Sequence, residues 1–153
     1  METREKKLKL TRFVKFLLDF MFYAGIVLTV TLPFSLRFGS RFYEPWAEHY
    51  WPAVVIYMIL GVAASILLNE LRQIFKTVLA EDCFVDANVE SLRKMGNVSF
   101  FIVLMSIVRF AVYMTTAILV VILVFIIAGL FSKVLSMVFE EAVRYKEEND
   151  LTI

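Results

Sequence analysis

A single cysteine, Cys83, and a single histidine, His49, deprive this 153-residue chain of two common kinds of site. One thiol excludes an internal disulfide framework and a cysteine-based zinc site. His49 stands beside Glu44 and Glu48 in a stretch that offers too few further ligands for a metal, so it reads as a solvated loop residue. Five glycines and three prolines are scattered singly. No glycine-rich loop is there to cradle a phosphate, and no internal repeat or low-complexity segment stands out. No nucleophile–base set appears either. The expectation is a protein that is not an enzyme and needs no cofactor.

What the chain has in excess is apolar surface. Sixty per cent of its residues are hydrophobic, 15 are Phe, and the mean hydropathy is +0.75. Soluble domains sit nearer 45–50% apolar. The 41 residues from Val98 to Val138 carry only two charges, Arg109 and Lys133. As one helix that run would be roughly 60 Å long, about twice the ~30 Å hydrocarbon core of a bilayer. Two transmembrane helices joined by a tight turn at Met114, Thr115 and Thr116 are the economical reading.

Two more spans precede them. Phe16 to Leu32 is apolar except for Asp19, and Pro33 is expected to close it. This stretch is too long for the apolar region of a signal peptide and reads as a retained anchor. Phe34 to Trp51 reads as a loop whose Tyr43, Trp46, Tyr50 and Trp51 suit an interfacial aromatic belt. Pro52 suits the first turn of a helix, and Pro52 to Leu68 is uncharged. The expected organisation is all-α: a four-helix bundle in one membrane domain, with spans near 16–33, 52–69, 98–114 and 117–138. Residues 70–97 form a loop and 139–153 a tail.

The loop is patterned. Leu71, Ile74, Phe75, Val78 and Leu79 recur at helical spacing, so the second span runs on as an amphipathic helix. Glu81, Asp82 and Cys83 break it. Asp86 or Asn88 can cap a new helix, carrying Val89, Leu92 and Met95, that feeds the third span. Lys and Arg number six in the N-terminal segment, four in this loop and three at the C-terminal end, against three on the opposite side. That bias places both ends and the loop in the cytoplasm of a multi-pass cell-membrane protein.

Charges inside the spans need partners or work. Asp19 has Lys15 four residues earlier, and Lys133 lies near the same boundary. An ion pair is the plain reading and a coupling carboxylate the sharper one. Arg109 can snorkel to headgroups and anchor the short turn, or bind an anion. Gly61 and Ser65, with Ala64 beside them, let helices approach closely, within the chain or in a homo-oligomer. The basic N-terminal arm can contact anionic membrane lipids. It lacks the interleaved aromatics of single-stranded nucleic acid binders, so no direct nucleic-acid contact is expected. Asn97-Val98-Ser99 matches a glycosylation pattern on the wrong side of the membrane.

Phe84 through Gly96, FVDANVESLRKMG, resembles the loop signature of a bacterial membrane family, domain of unknown function 2975. Lys146 to Ile153, KEENDLTI, is similar to that family's ending. Val85 departs from the pattern, which favours Thr, so the helix cap passes to Asp86. Family members are often encoded beside a small Cro/C1-type helix-turn-helix regulator. The resemblance therefore implies a regulatory protein coupling the membrane to that transcription regulator. Phe84, Asn88, Leu92 and Arg93 of the loop, with Asp150, Leu151 and Ile153 of the tail, would bind it. The plainer alternative pairs Glu140 with Arg144 and packs the tail's end on the loop. A different class of reading is a small transporter, channel or immunity-type protein using Asp19 and Arg109.

Overall fold

The computed structural model describes residues 2–39, 41, 50–112 and 114–152. Four helices hold nearly all of them: α1 (Glu2–Gly39), α2 (Tyr50–Leu79), α3 (Asp86–Val112) and α4 (Thr116–Asp150). At 1.5 Å per residue they run about 57, 45, 40 and 52 Å. By length and composition each can cross a membrane, and each outlasts the hydrocarbon core. This is a multi-pass, all-helical membrane protein.

Pro33 does not close the first span, because α1 runs through it to Gly39. Proline is tolerated in a membrane helix where nearby groups satisfy the disturbed backbone. The carbonyl that Pro33 leaves without its helical donor is that of Thr29, four residues back. The Tyr50 hydroxyl donates to the Pro33 carbonyl at 2.9 Å and ties the start of α2 to α1. Tyr43, Trp46 and His49 lie outside the described residues. Trp51 is exposed, with the Tyr50 ring edge-on to it. At the other hairpin α3 ends at Val112, and Thr115, in extended conformation, precedes α4 without a side-chain cap.

The corner between α2 and α3 is tightly made. Glu81 adopts a left-handed φ of 61°. The Asp82 N–H reaches back to the Thr77 carbonyl (3.1 Å) and the Glu81 N–H to that of Val78 (3.2 Å). This is a Schellman cap, here without its usual glycine. The α3 helix starts at Asp86, so the residue ahead of it is Val85, and neither Asp86 nor Asn88 acts as its side-chain cap. Asn88 instead turns inward. Its amide nitrogen donates to Thr77 Oγ1 (2.6 Å) and to the Cys83 carbonyl (2.7 Å).

Among the described residues, helix packs on helix only between sequence neighbours: α1 on α2, α2 on α3, α3 on α4. The four helices expected from the sequence are thus laid out as an open row. Lipid is as apolar as a leucine-rich core, so outward faces need no protein cover. Only 6% of the apolar window of α1 is buried, against 28% for α3. What joins the helices is small. Ser99, Ser132 and Ser136 are buried near the α3–α4 seam. A Cβ on Gly129 would meet Phe100 and Ser99 at 3.2–3.3 Å. Gly61 faces Thr29 of α1, so the Gly61/Ser65 pair serves packing within the chain.

Candidate functional site: a polar belt and a charged platform

Apart from Arg109, the charges that interrupt the spans meet at one level. Between α1 and α2, Asp19 accepts from Lys15 Nζ (3.0 Å) and from Arg72 Nε (2.5 Å). The Arg72 guanidinium also lies 4.4 Å from the Phe22 ring centroid. Between α2 and α3, the carboxylate of Glu70, only 3% exposed, accepts from Ser91 Oγ (2.9 Å) and Lys94 Nζ (2.6 Å). Between α3 and α4, Lys133 Nζ donates to Asn97 Oδ1 (2.6 Å). Lys133 thus does not partner Asp19; the open row places them on opposite flanks.

This belt falls where the uncharged runs 20–36 and 98–108 begin and where 52–68 and 117–132 end. It marks the boundary of the apolar slab, and its charged members there are offset by partners rather than left bare in lipid. Arg109 belongs to the far side. Its guanidinium sits 4.6 Å from the Tyr57 ring centroid, a favourable cation–π distance. It also lies in the last turn of α3, where the helix dipole favours a cation. Arg72 and Tyr57 are 15 residues apart on α2, about 22 Å along the axis. Asp19 and Arg109 therefore occupy separate levels and do not face each other.

Beyond the belt, all four helices continue on the same side and form a charged platform. Its parts are stapled across the α2–α3 corner. Arg4 of α1 donates two hydrogen bonds to Glu81 (2.7 and 2.6 Å). Lys146 of α4 reaches Asp82 (2.7 Å), and Arg93 of α3 reaches Glu140 of α4 (2.8 Å). Phe84 and Phe139 pack at a tilt, with 5.4 Å between centroids. The loop and the tail touch.

Of the seven residues expected to bind a partner, Asn88 and Leu92 are buried (1% and 4% exposed). Asn88 is held inside by Thr77 and Cys83, and Leu92 is on the packed face of α3; they shape the platform without being offered by it. Phe84, Arg93, Asp150 and Leu151 are exposed, and Ile153 lies outside the described residues. Glu140 does not pair with Arg144. Arg144 instead approaches Glu141 (3.1 Å) and Glu148 (4.0 Å). Nor does Leu151 pack on the loop, being 87% exposed. Glu70 and Arg72 were not singled out from the sequence. Glu70 lies four residues before Ile74 on the apolar stripe of α2, and that position was the available signal.

Hydrogen bonds from Arg4 hold the Glu81 carboxyl below its usual 4.5, with the guanidinium charge adding to the effect and burial opposing it. Its folded value being lowered, the contribution of this tie is complete above 4.5 and is lost as pH falls through the lowered value. Spin labels at Lys7 and Ala80 are expected to separate only in acid. Separation already at neutral pH would show that the staple does not hold α1.

A family model described as Protein of unknown function (DUF2975) matches residues 38–153. No curated protein and no solved structure matches the chain.

Proposed function

The chain belongs to that family, and from this premise we propose that it is a regulatory membrane protein, not an enzyme, that docks a basic cytoplasmic partner on its charged platform. The observation that carries the reading is the end of α4. It passes the α2–α3 corner beyond Lys146 and presents Glu147, Glu148 and Asp150 to solvent, followed by the bare apolar side chain of Leu151. Acidic groups around an exposed apolar anchor suit a positively charged partner, with charge setting encounter and register and the anchor supplying burial. The Lys and Arg bias supports a cytoplasmic position for this end. A small Cro/C1-type helix-turn-helix regulator, which the family resemblance implies as a neighbour, would bring a basic surface, since DNA binding requires one. The signal would pass between the belt, set at the membrane boundary, and the platform through four continuous helices.

The test is co-purification of the adjacently encoded regulator with the full chain in detergent. Glu147→Lys/Asp150→Lys/Leu151→Ser is expected to lower capture at least tenfold, and capture by the parent is expected to weaken as salt rises. Equal capture by parent and variant, or none by the parent, removes the reading.

A further inference from the structure

We propose that one face of the α1–α2–α3 row is a binding site for a single anionic diacyl phospholipid from the leaflet on the platform side. Two apolar furrows run side by side there. Between them stands a ridge made by Met58, Val62 and Ile66, four residues apart on α2. One furrow, of about 510 Å³, is walled by Phe22, Ile26 and Val30 of α1. The other, of about 590 Å³, is walled by Val98 and Phe101 of α3. From Met58 to Asn69 the ridge extends about 16 Å, close to one leaflet's share of a ~30 Å hydrocarbon core. Paired furrows of that length fit the paired tails of one lipid.

Both furrows turn polar at the same end, which is the belt. Asn69, Glu70 and Lys94 close the first, and Asn97 closes the second. Lys133 reaches this end from α4. Its stem crosses Gly96, where a Cβ would come within 2.9 Å of Lys133 Cγ, and its ammonium hydrogen-bonds Asn97. Among the described residues Lys133 has no carboxylate within ion-pair range, whereas Lys94 is matched by Glu70. The mouth therefore carries one positive charge in excess, the complement of a phosphodiester at headgroup depth. The site is separate from the platform, so its failure would leave the docking reading intact.

The test titrates the purified full chain with phosphatidylglycerol and phosphatidylcholine of identical acyl chains, read by native mass spectrometry. Phosphatidylglycerol is expected to bind more tightly, and glycerophosphate at the same concentration should not displace it. Lys133→Gln is expected to lower its affinity about fivefold, the effect of one interfacial cation, with Lys133→Arg behaving as the parent. Glu70→Gln removes the opposing charge while keeping an acceptor for Ser91, and should raise the affinity about fivefold. Neither change should move phosphatidylcholine, while Val62→Trp, which crowds both furrows, should weaken both lipids. Equal affinity of the parent for the two lipids overturns the proposal. So does phosphatidylglycerol binding unmoved by both charge variants, or a lipid-free dimer that Val62→Trp dissolves, which would assign the face to a second copy.

Discussion

Asn88→Ala is expected to cost about 2–4 kcal/mol of stability in detergent, the sum of two lost hydrogen bonds and the acceptors they leave bare. The Asn88 amide holds together three things that the backbone alone does not join: the last turns of α2, through Thr77; the corner, through the Cys83 carbonyl; and the first turn of α3. Both bonds are donated by one nitrogen, so the isosteric Asn88→Asp, which has no donor there when ionised, should fail as badly as Ala. A role in filling volume predicts the opposite, with Asp tolerated. Denaturant unfolding measures the cost, and protease cleavage within residues 80–85 reports the corner's opening. If either variant matches the parent in both assays, the corner is held by something else, and the Glu81 cap with its left-handed backbone is the next candidate.

The second large effect concerns the weakest attachment in the row. Gly61→Ala would put a Cβ 2.5 Å from Thr29 Oγ1 and 2.7 Å from its Cγ2, inside any tolerable contact. Thr29 cannot swing away freely, because its hydroxyl is bonded to the Gly25 carbonyl at 2.8 Å. The expected cost is about 1–3 kcal/mol, as for overpacking elsewhere. Its consequence is larger than the number, since among the described residues α2 is the one helix on which α1 packs. Thr29→Ala in the same chain removes both offending atoms and should recover most of the loss. The coupling between the two sites in a double-mutant cycle is then negative in the sense of rescue. Additive losses would mean that Gly61 matters for its own helix rather than for the seam. A proposed dimer face at Gly61 makes a third forecast, in which Gly61→Ala changes oligomeric state but not the stability of one chain.

Much of the architecture was legible because it depends on local quantities. Transfer into lipid is close to additive over a run of residues, so the uncharged stretches mark four crossings however the helices later pack. The extension of α2 to Leu79 and the fresh start at Asp86 follow from apolar spacing and from the polar break at 81–83. Pro33 shows the limit of such rules. Its punctuation belongs to helices in water, whereas a membrane helix tolerates proline, and α1 runs on through it. The open order of the row was not legible for a similar reason. Water forces apolar faces together, whereas lipid leaves α1 content with one neighbour.

The site was legible only in part. Composition singled out Asp19, Arg109 and Lys133 because charges in lipid are costly wherever they point. It could not say that Asp19 belongs with Arg72, that Lys133 belongs with Asn97, or that Glu70 is the most buried acid among the described residues. It named Asn88 and Leu92 for the right segment but assigned them to the surface, when helical phase turns both inward.

From its residues alone, then, the polypeptide was committed to a membrane, to helices, to four passes and to a charged side distinct from an apolar slab. Tertiary structure alone decided which groups share a height, and so which charges are neutralised, which face keeps an unmatched lysine, and that the corner and the tail form one surface. The physical reason is range. Partitioning into lipid is settled residue by residue along the chain, whereas pairing between antiparallel helices depends on their mutual offset, set by contacts such as Gly61 on Thr29 far from the charges themselves.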